Sequence, residues 1–296
     1  MTDATIVIPT YRHAALVPYS VRSALGQQGA AIELFVIGDG VEDDTRVALE
    51  PFLSDPRVRF FDFPKGQRNG ELHRHEALQG ATGRIVCYLS DDDLFLHDHV
   101  AEMARLLEDA DFAHSAPLFV MPDGSLRYGP IDMARPEFHA LLLRGGWNKI
   151  SLSGAAHTLD AYRRLPYGWR PGPPEVWSDL YMWQQFVQLP GFRGRTGIRL
   201  THIHLPDQDR REVPAAERVA ELESWWNRIQ EPGFEDELER IVADVVREGA
   251  VSREARIHEL KDAIGEIQRT RWWRLRASIA TSPPIRALLA GRRGRR

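Results

Sequence analysis

Four short apolar runs, each followed by a polar turn and an amphipathic stretch, fill the first third of the chain: ATIVIPT (4–10), IELFVIGDG (32–40), RVRFFDF (57–63) and RIVCYL (84–89). The first, second and fourth are continuous rather than alternating, as expected of strands buried on both faces. Between and after them lie HAALVPYSVRSALGQQ, with Ala14, Val17, Val21 and Leu25 at helical spacing, then DDTRVALEPFL, GELHRHEALQGATG and LHDHVAEMARLLEDA. Strand followed by helix, repeated about four times, predicts an α/β domain with a mostly parallel sheet covered by helices on both faces. Ligands of such sheets collect beyond the carboxyl ends of the strands. Thr10, Tyr11 and Arg12 follow the first run, Asp39 ends the second, and Asp91, Asp92 and Asp93 follow the fourth.

The stretch YLSDDDLF (88–95) sets three carboxylates directly after a buried strand. Crowded like charges repel and need a reason to persist. One reading is a helix start, with Asp91 or Asp93 as cap of the helix that follows. The other is a divalent cation site, because hard Mg²⁺ or Mn²⁺ prefers carboxylate oxygen. Convergence of polar groups at three strand ends favours the second, with Asp93 left as the cap.

From about residue 112 the alternation stops. FAHSAPLFVMPDGSLRYG predicts a hairpin at Asp123–Gly124, and a long Gly-, Pro- and Trp-rich stretch reads as functional loops. DLYMWQQFVQL predicts a helix starting at Ser178 or Asp179. TGIRLTHIHL (196–205) predicts one strand with His202 and His204 on the same face. Beyond 215 the chain reads as helical and polar, and Ile257, Leu260, Ile264 and Ile267 form a heptad seam under two heptads long, which permits a homodimer. The expected organisation is residues 1–210, a helical extension over 211–270, and a basic amphipathic tail over 271–296.

Composition excludes some functions. The single cysteine, Cys87, sits within an apolar run, which rules out a disulfide framework and a cysteine-rich zinc site. No secretory signal and no membrane-length apolar run is visible, so the expected location is cytoplasmic. The first 270 residues hold 30 basic and 42 acidic side chains, a net charge of −12, while the last 26 carry eight arginines and no acid. Arginines mixed with Trp272, Trp273, Leu275, Ile279, Leu288 and Leu289 suit an anionic membrane surface, on the inner face of the membrane. No folded nucleic-acid-reading motif accompanies them.

Taken in order, VIPTYR, VIGDG with DDT, HRHEALQGATGRIVCYLSDDDLF and WSDLYMWQQF resemble a family 2 glycosyltransferase of the GT-A fold, of the kind that builds bacterial surface glycans. The resemblance covers roughly residues 4 to 205. It departs from the family pattern at Gly38, His75, Ser90 and Ser178, where that pattern has Asp, Asn, Asp and Glu.

The resemblance implies a GT-A domain with a C-terminal helical extension, an inverting transfer, a nucleotide-diphosphate sugar donor, and a glycan or lipid-linked glycan acceptor. It implies Mn²⁺ or Mg²⁺ at Asp92, with His204 completing the metal shell, and Asp91 near the ribose or the metal. Pro9, Thr10, Tyr11 and Arg12 would flank the base and ribose, Asp39 would accept a hydrogen bond from a pyrimidine, and Arg74 would meet the nucleotide, with Arg68 a weaker candidate. Asp179 would be the general base, with Glu175 as fallback. Trp147, Trp169 and Trp177 are candidates for stacking on a sugar. The rival expectations are a nucleotidyltransferase, which the glycine-free VIPTYRHAALV disfavours, a phosphohydrolase, and a non-catalytic nucleotide-sugar or glycan-binding scaffold.

Overall fold

The structure is a computed structural model that describes residues 2–273 apart from 117 and 130, together with residue 276. The elements alternate as the apolar runs predict: β1 (Ala4–Thr10), α1 (Val17–Leu25), β2 (Ile32–Asp39), α2 (Asp43–Leu49), β3 (Val58–Phe63), α3 (Glu71–Leu78), β4 (Ile85–Tyr88), β5 (Leu94–Phe95) and α4 (His99–Leu106). Then come β6 (Phe112–His114), β7 (Leu118–Val120), β8 (Leu126–Tyr128), α5 (Pro136–Arg144), β9 (Ala155–Thr158), α6 (Leu159–Arg163), α7 (Ser178–Val187), β10 (Gly194–Thr196), β11 (His202–Ile203), α8 (Ala215–Ile229) and α9 (Phe234–Arg269). Two compact units divide between Val245 and Val246.

The main sheet has seven strands in the order β10-β6-β9-β4-β1-β2-β3. All neighbours in it pair parallel except β9, which runs antiparallel between β4 and β6. The mostly parallel α/β architecture is therefore as expected. Successive residues feed opposite faces, since Ile6, Ile8, Leu34 and Val36 enter one buried cluster while Val7, Phe35 and Ile37 enter the other. A third cluster joins Leu94, Leu96, Leu118, Ile203 and Leu205 to Leu222 and Ile229 of α8.

Several local expectations change. The first helix begins at Val17 rather than near residue 13, with Pro18 in its first turn, where a missing N–H costs nothing. The expected strand over 196–205 is two short pieces in different sheets: β10 ends at Thr196, Ile198 is 90% exposed, and β11 pairs antiparallel with β5. None of the three aspartates caps a helix, because β5 follows them directly and α4 starts only after Asp98. The hairpin at Asp123–Gly124 forms as read, with Phe119 opposite Arg127 and Gly124 at φ 78°.

Ile257, Leu260, Ile264 and Ile267 lie exposed along α9. The basic tail lies outside the described residues apart from 271–273 and 276. Among the described residues, no helix is long and apolar enough to cross a membrane.

Candidate active site

Beyond the carboxyl ends of β1 and β4 opens a cavity of about 470 Å³. Its walls come from Pro9 at the end of β1 and His13 beyond it, Arg68, Asn69 and Arg74 around the start of α3, Asp91 and Asp92 after β4, Asn148 to Leu152, Trp177 to Asp179 around the start of α7, and His204 and Pro206 to Gln208 after β11.

The three aspartates have separate tasks. Asp93 is fully buried and accepts from the Leu205 N–H at 2.7 Å, from His204 Nδ1 at 2.7 Å and from the Ser153 hydroxyl. Burial opposes its charge, but His204, Ser153 and Leu205 outweigh burial and hold its carboxyl below the usual range. Burial would lower the His204 pKa, yet Asp93 raises it above its ordinary value. A carboxylate behind the imidazole fixes the orientation of this cavity-lining ring.

Asp91 Oδ1 takes a hydrogen bond from His13 Nδ1 at 2.8 Å. Burial pulls the His13 pKa down, but the bond to Asp91 and the charges of Asp91 and Asp92 lift it to about 9. Asp92 is 8% exposed at its side chain and meets Arg218 of α8 at 2.8 Å. The same guanidinium reaches Asp207 at 3.0 Å. Burial and the neighbouring Asp93 and Asp91 push the Asp92 carboxyl well above the usual range, against the pull of His13 and Arg218. Ligand atoms of His13, Asp92 and Asp207 all lie within 4.8 Å of one another.

Asp179 stands in the first turn of α7, where Trp177 and not Asp179 is the N-cap. Its Oδ2 accepts from Asn148 Nδ2 at 3.0 Å and its Oδ1 from the Leu180 N–H at 2.7 Å. Burial raises its pKa, with the Leu180 N–H and Arg74 opposing. Ser178 bonds to Glu71, and Asn69 Nδ2 donates to Ser178 Oγ at 3.1 Å, which ties the start of α7 to α3. Arg74 is buried rather than facing solvent: it lies 4.3 Å over the Trp169 ring and donates to the Asn69 carbonyl at 2.5 Å, and its Nε has no partner among the described residues.

Pro9, Arg68, Arg74, Asp91, Asp92, Asp179 and His204 thus meet at one cavity, while Thr10, Tyr11, Arg12 and Asp39 do not line it. Asp39 accepts from Lys65 Nζ at 2.5 Å and from the Gly66 N–H at 2.6 Å, so both its oxygens are engaged by the loop before α3. That loop packs closely: a Cβ at Gly70, which sits at φ 67°, would fall 2.8 Å from Asp39 Cγ. Lys65 Nζ lies 4.8 Å over the Tyr11 ring, with Arg12 over it at 4.7 Å. Tyr11, Asp39 and Lys65 therefore form a second cluster beside the cavity. Thr10 is buried, and its hydroxyl lacks a partner among the described residues.

Glu175 is exposed and away from the cavity lining. Trp169 is a core residue whose N–H donates to the Tyr88 hydroxyl at 2.8 Å, and Trp147 stacks on Phe138. Only Trp177 of the three tryptophans lines the cavity. His202 is a core histidine bonded to Ser115 and Ser151, with its pKa lowered by burial to about 3. His13, Asn148, Asp207 and Arg218 escaped the sequence reading. His13 adjoins the nucleotide-loop motif and Asp207 follows the histidine pair, so adjacency could have found both, whereas no local pattern marks Asn148 or Arg218.

Residues 5–165 match the family model described as Glycosyl transferase family 2. The chain is 32% identical over 111 residues to the succinoglycan biosynthesis protein ExoO of Rhizobium meliloti (strain 1021), a match covering 38% of this chain and 30% of that protein. It is 32% identical over 94 residues to the UDP-Glc:alpha-D-GlcNAc-diphosphoundecaprenol beta-1,3-glucosyltransferase WfgD of Escherichia coli, covering 31% of this chain and 36% of WfgD. The matches therefore span only 30% and 36% of the length of these two curated relatives. Its fold is similar to that of S. aureus TarS 1-349 in complex with UDP-GlcNAc, with a TM-score of 0.54 at 12% identity over 77% of this chain and 70% of that one.

Proposed function

The chain belongs to glycosyl transferase family 2, and we propose that it moves a sugar from a nucleotide-diphosphate donor, of pyrimidine type, to a hydroxyl of a lipid-linked or surface glycan, with inversion. The observation that carries this reading is that the acid cluster Asp91–Asp92 and the separate carboxylate Asp179 line one cavity beyond the strand ends. The first suits the diphosphate end of a donor and the second suits an acceptor hydroxyl. The names of WfgD and of the TarS complex support a uridine donor, and the name of WfgD supports a lipid-linked acceptor.

In this mechanism Asp179 takes the proton of the acceptor hydroxyl as that oxygen attacks the anomeric carbon in line with the departing diphosphate. Asn148 and the Leu180 N–H fix its carboxylate, and burial makes it a stronger base than a solvated aspartate. Arg74, anchored over Trp169, holds positive charge at the nucleotide end. Trp177 offers an exposed ring at the rim for a sugar face.

A divalent cation fits the donor set, since hard carboxylate oxygens of Asp92 and Asp207 and one nitrogen of His13 come within 4.8 Å. Asp92 would be its main protein ligand, with Asp207 and His13 the residues whose ligand atoms lie close enough to share the shell; Asp91 and His204 line the same cavity. When bound, Mn²⁺ or Mg²⁺ supplies positive charge that stabilises the leaving diphosphate.

A thermal-shift panel of UDP, dTDP, GDP, CDP and ADP, each with and without Mn²⁺, tests the reading. The expected result is stabilisation by UDP or another pyrimidine diphosphate that grows with Mn²⁺. A panel in which no nucleotide shifts the melting temperature in either condition would remove the donor site.

A further inference from the structure

Among the described residues Arg68 is the one non-glycine with a positive φ, 52°. That left-handed backbone is unfavourable for a residue with a side chain and persists only where its surroundings enforce it. Here the enforcement is visible. The Arg68 guanidinium donates to the carbonyls of Gly172 at 2.7 Å, Pro173 at 2.9 Å and Val176 at 3.0 Å. These carbonyls belong to the segment PGPPEVW, whose prolines have no N–H with which to build hydrogen bonds of their own. The segment runs directly into Trp177, Ser178 and Asp179. Three charge-assisted bonds from one rigid fork therefore hold the approach to Asp179.

The other end of Arg68 points elsewhere. Its own carbonyl accepts from Lys65 Nζ at 2.7 Å, and the same ammonium bonds Asp39 at 2.5 Å and lies over Tyr11. One loop thus touches the cluster expected to meet the nucleobase and, through Arg68, the loop that sets Asp179. Asn69 runs parallel to this path through Ser178.

We infer that Arg68 is a positioning residue, which couples occupation of the nucleotide subsite at Asp39 and Tyr11 to the placement of Asp179. The inference rests on the nucleotide-sugar transferase reading above. A base entering against Asp39 competes with Lys65 for the carboxylate. Lys65 then shifts, Arg68 shifts with it, and the segment 172–176 follows. The donor thereby sets the general base before the acceptor arrives.

The test uses the full chain as Arg68→Gly and Arg68→Met. Glycine accepts the left-handed backbone without strain, so Arg68→Gly keeps the fold while losing the fork. Three quantities are read: the Kd of UDP with Mn²⁺ by calorimetry, the kcat of transfer, and hydrogen exchange of residues 172–177 with and without the nucleotide. In the unmodified protein UDP slows exchange over that segment. In both variants the Kd stays within about threefold, kcat falls roughly 10- to 100-fold as expected for a misplaced base, and the UDP-induced protection disappears. Unchanged kcat in Arg68→Gly overturns the inference. So does a loss confined to UDP affinity, which makes Arg68 a direct nucleotide ligand. An unmodified protein that binds no nucleoside diphosphate instead overturns the transferase reading, a distinguishable outcome.

Discussion

Arg218 of α8 meets the Asp92 carboxylate at 2.8 Å across 126 residues of chain, with both side chains almost fully shielded from water. Breaking a buried pair of this kind is costly because the survivor loses its nearest counter-charge, here only partly replaced by Asp207 for Arg218 and by His13 for Asp92. Arg218→Met alone should destabilise the protein by about 3 kcal/mol, and adding Asp92→Asn should recover much of that loss. Urea unfolding of the two single variants and the double variant measures the coupling. Additive effects would mean that the two groups act independently.

In the proposed site, Asp92 is the residue expected to make nucleotide binding depend on metal. Asp92→Asn should keep weak UDP binding through Arg74 and the Tyr11 cluster, and should lose the increment that Mn²⁺ adds. The comparison is one melting curve with UDP alone and another with UDP and Mn²⁺, where the unmodified protein separates the two and the variant superimposes them.

Asp179→Asn removes the proposed base while keeping a side chain of the same size beside Asn148. Transfer should fall by about 10²–10⁴, the usual contribution of a positioned base, with UDP affinity little changed. Turnover of a radiolabelled or fluorescent donor measures the first and calorimetry the second.

The pH profile of the same step follows from burial. As the proposed base, Asp179 would work only when ionised, and burial raises its pKa above that of a solvated aspartate. The rate should therefore drop on the acid side, and the drop should begin at a higher pH than an unperturbed aspartate would give. The sign for stability is opposite to that of a salt-bridged carboxylate: folding disfavours the ionised form, so this group lowers stability as pH rises through its titration. A kcat–pH series locates the acid limb, which Asp179→Asn should abolish.

Trp177 is 49% exposed at the cavity rim. Trp177→Ala should raise the acceptor KM by about tenfold, the order expected for loss of an exposed stacking surface worth roughly 1.4 kcal/mol, with the donor KM and melting temperature unmoved. Steady-state kinetics with each substrate varied in turn separates the two.

The parallel core was legible because three of its strands are uninterrupted apolar runs, a pattern that only burial on both faces explains. β9 was not, since AAHT carries no such run, and it enters the sheet antiparallel by pairing with β4 and β6. That Asp91, Asp92 and Asp179 face one cavity was legible through the family resemblance. The work of Asp93 was not: a two-residue strand separates it from α4, and its partners Ser153, His204 and Leu205 lie 60 to 112 residues away. Arg218 left no trace because an arginine on an amphipathic helix looks the same whether it faces water or a buried acid. Local sequence reports local structure, and this site closes through distant contacts.

That distance also sets an order of events during synthesis. Asp92 leaves the ribosome 126 residues before Arg218 does, a gap of roughly 6 to 25 seconds at ~5–20 residues per second. For that interval β1 to β4 can already pair, while Asp91, Asp92 and Asp93 stand together without His204 or Arg218 to neutralise them. Over that interval the nascent chain holds only part of the seven-stranded sheet, and the acidic end of β4, with His13 beside Asp91, still lacks the distant partners that close it.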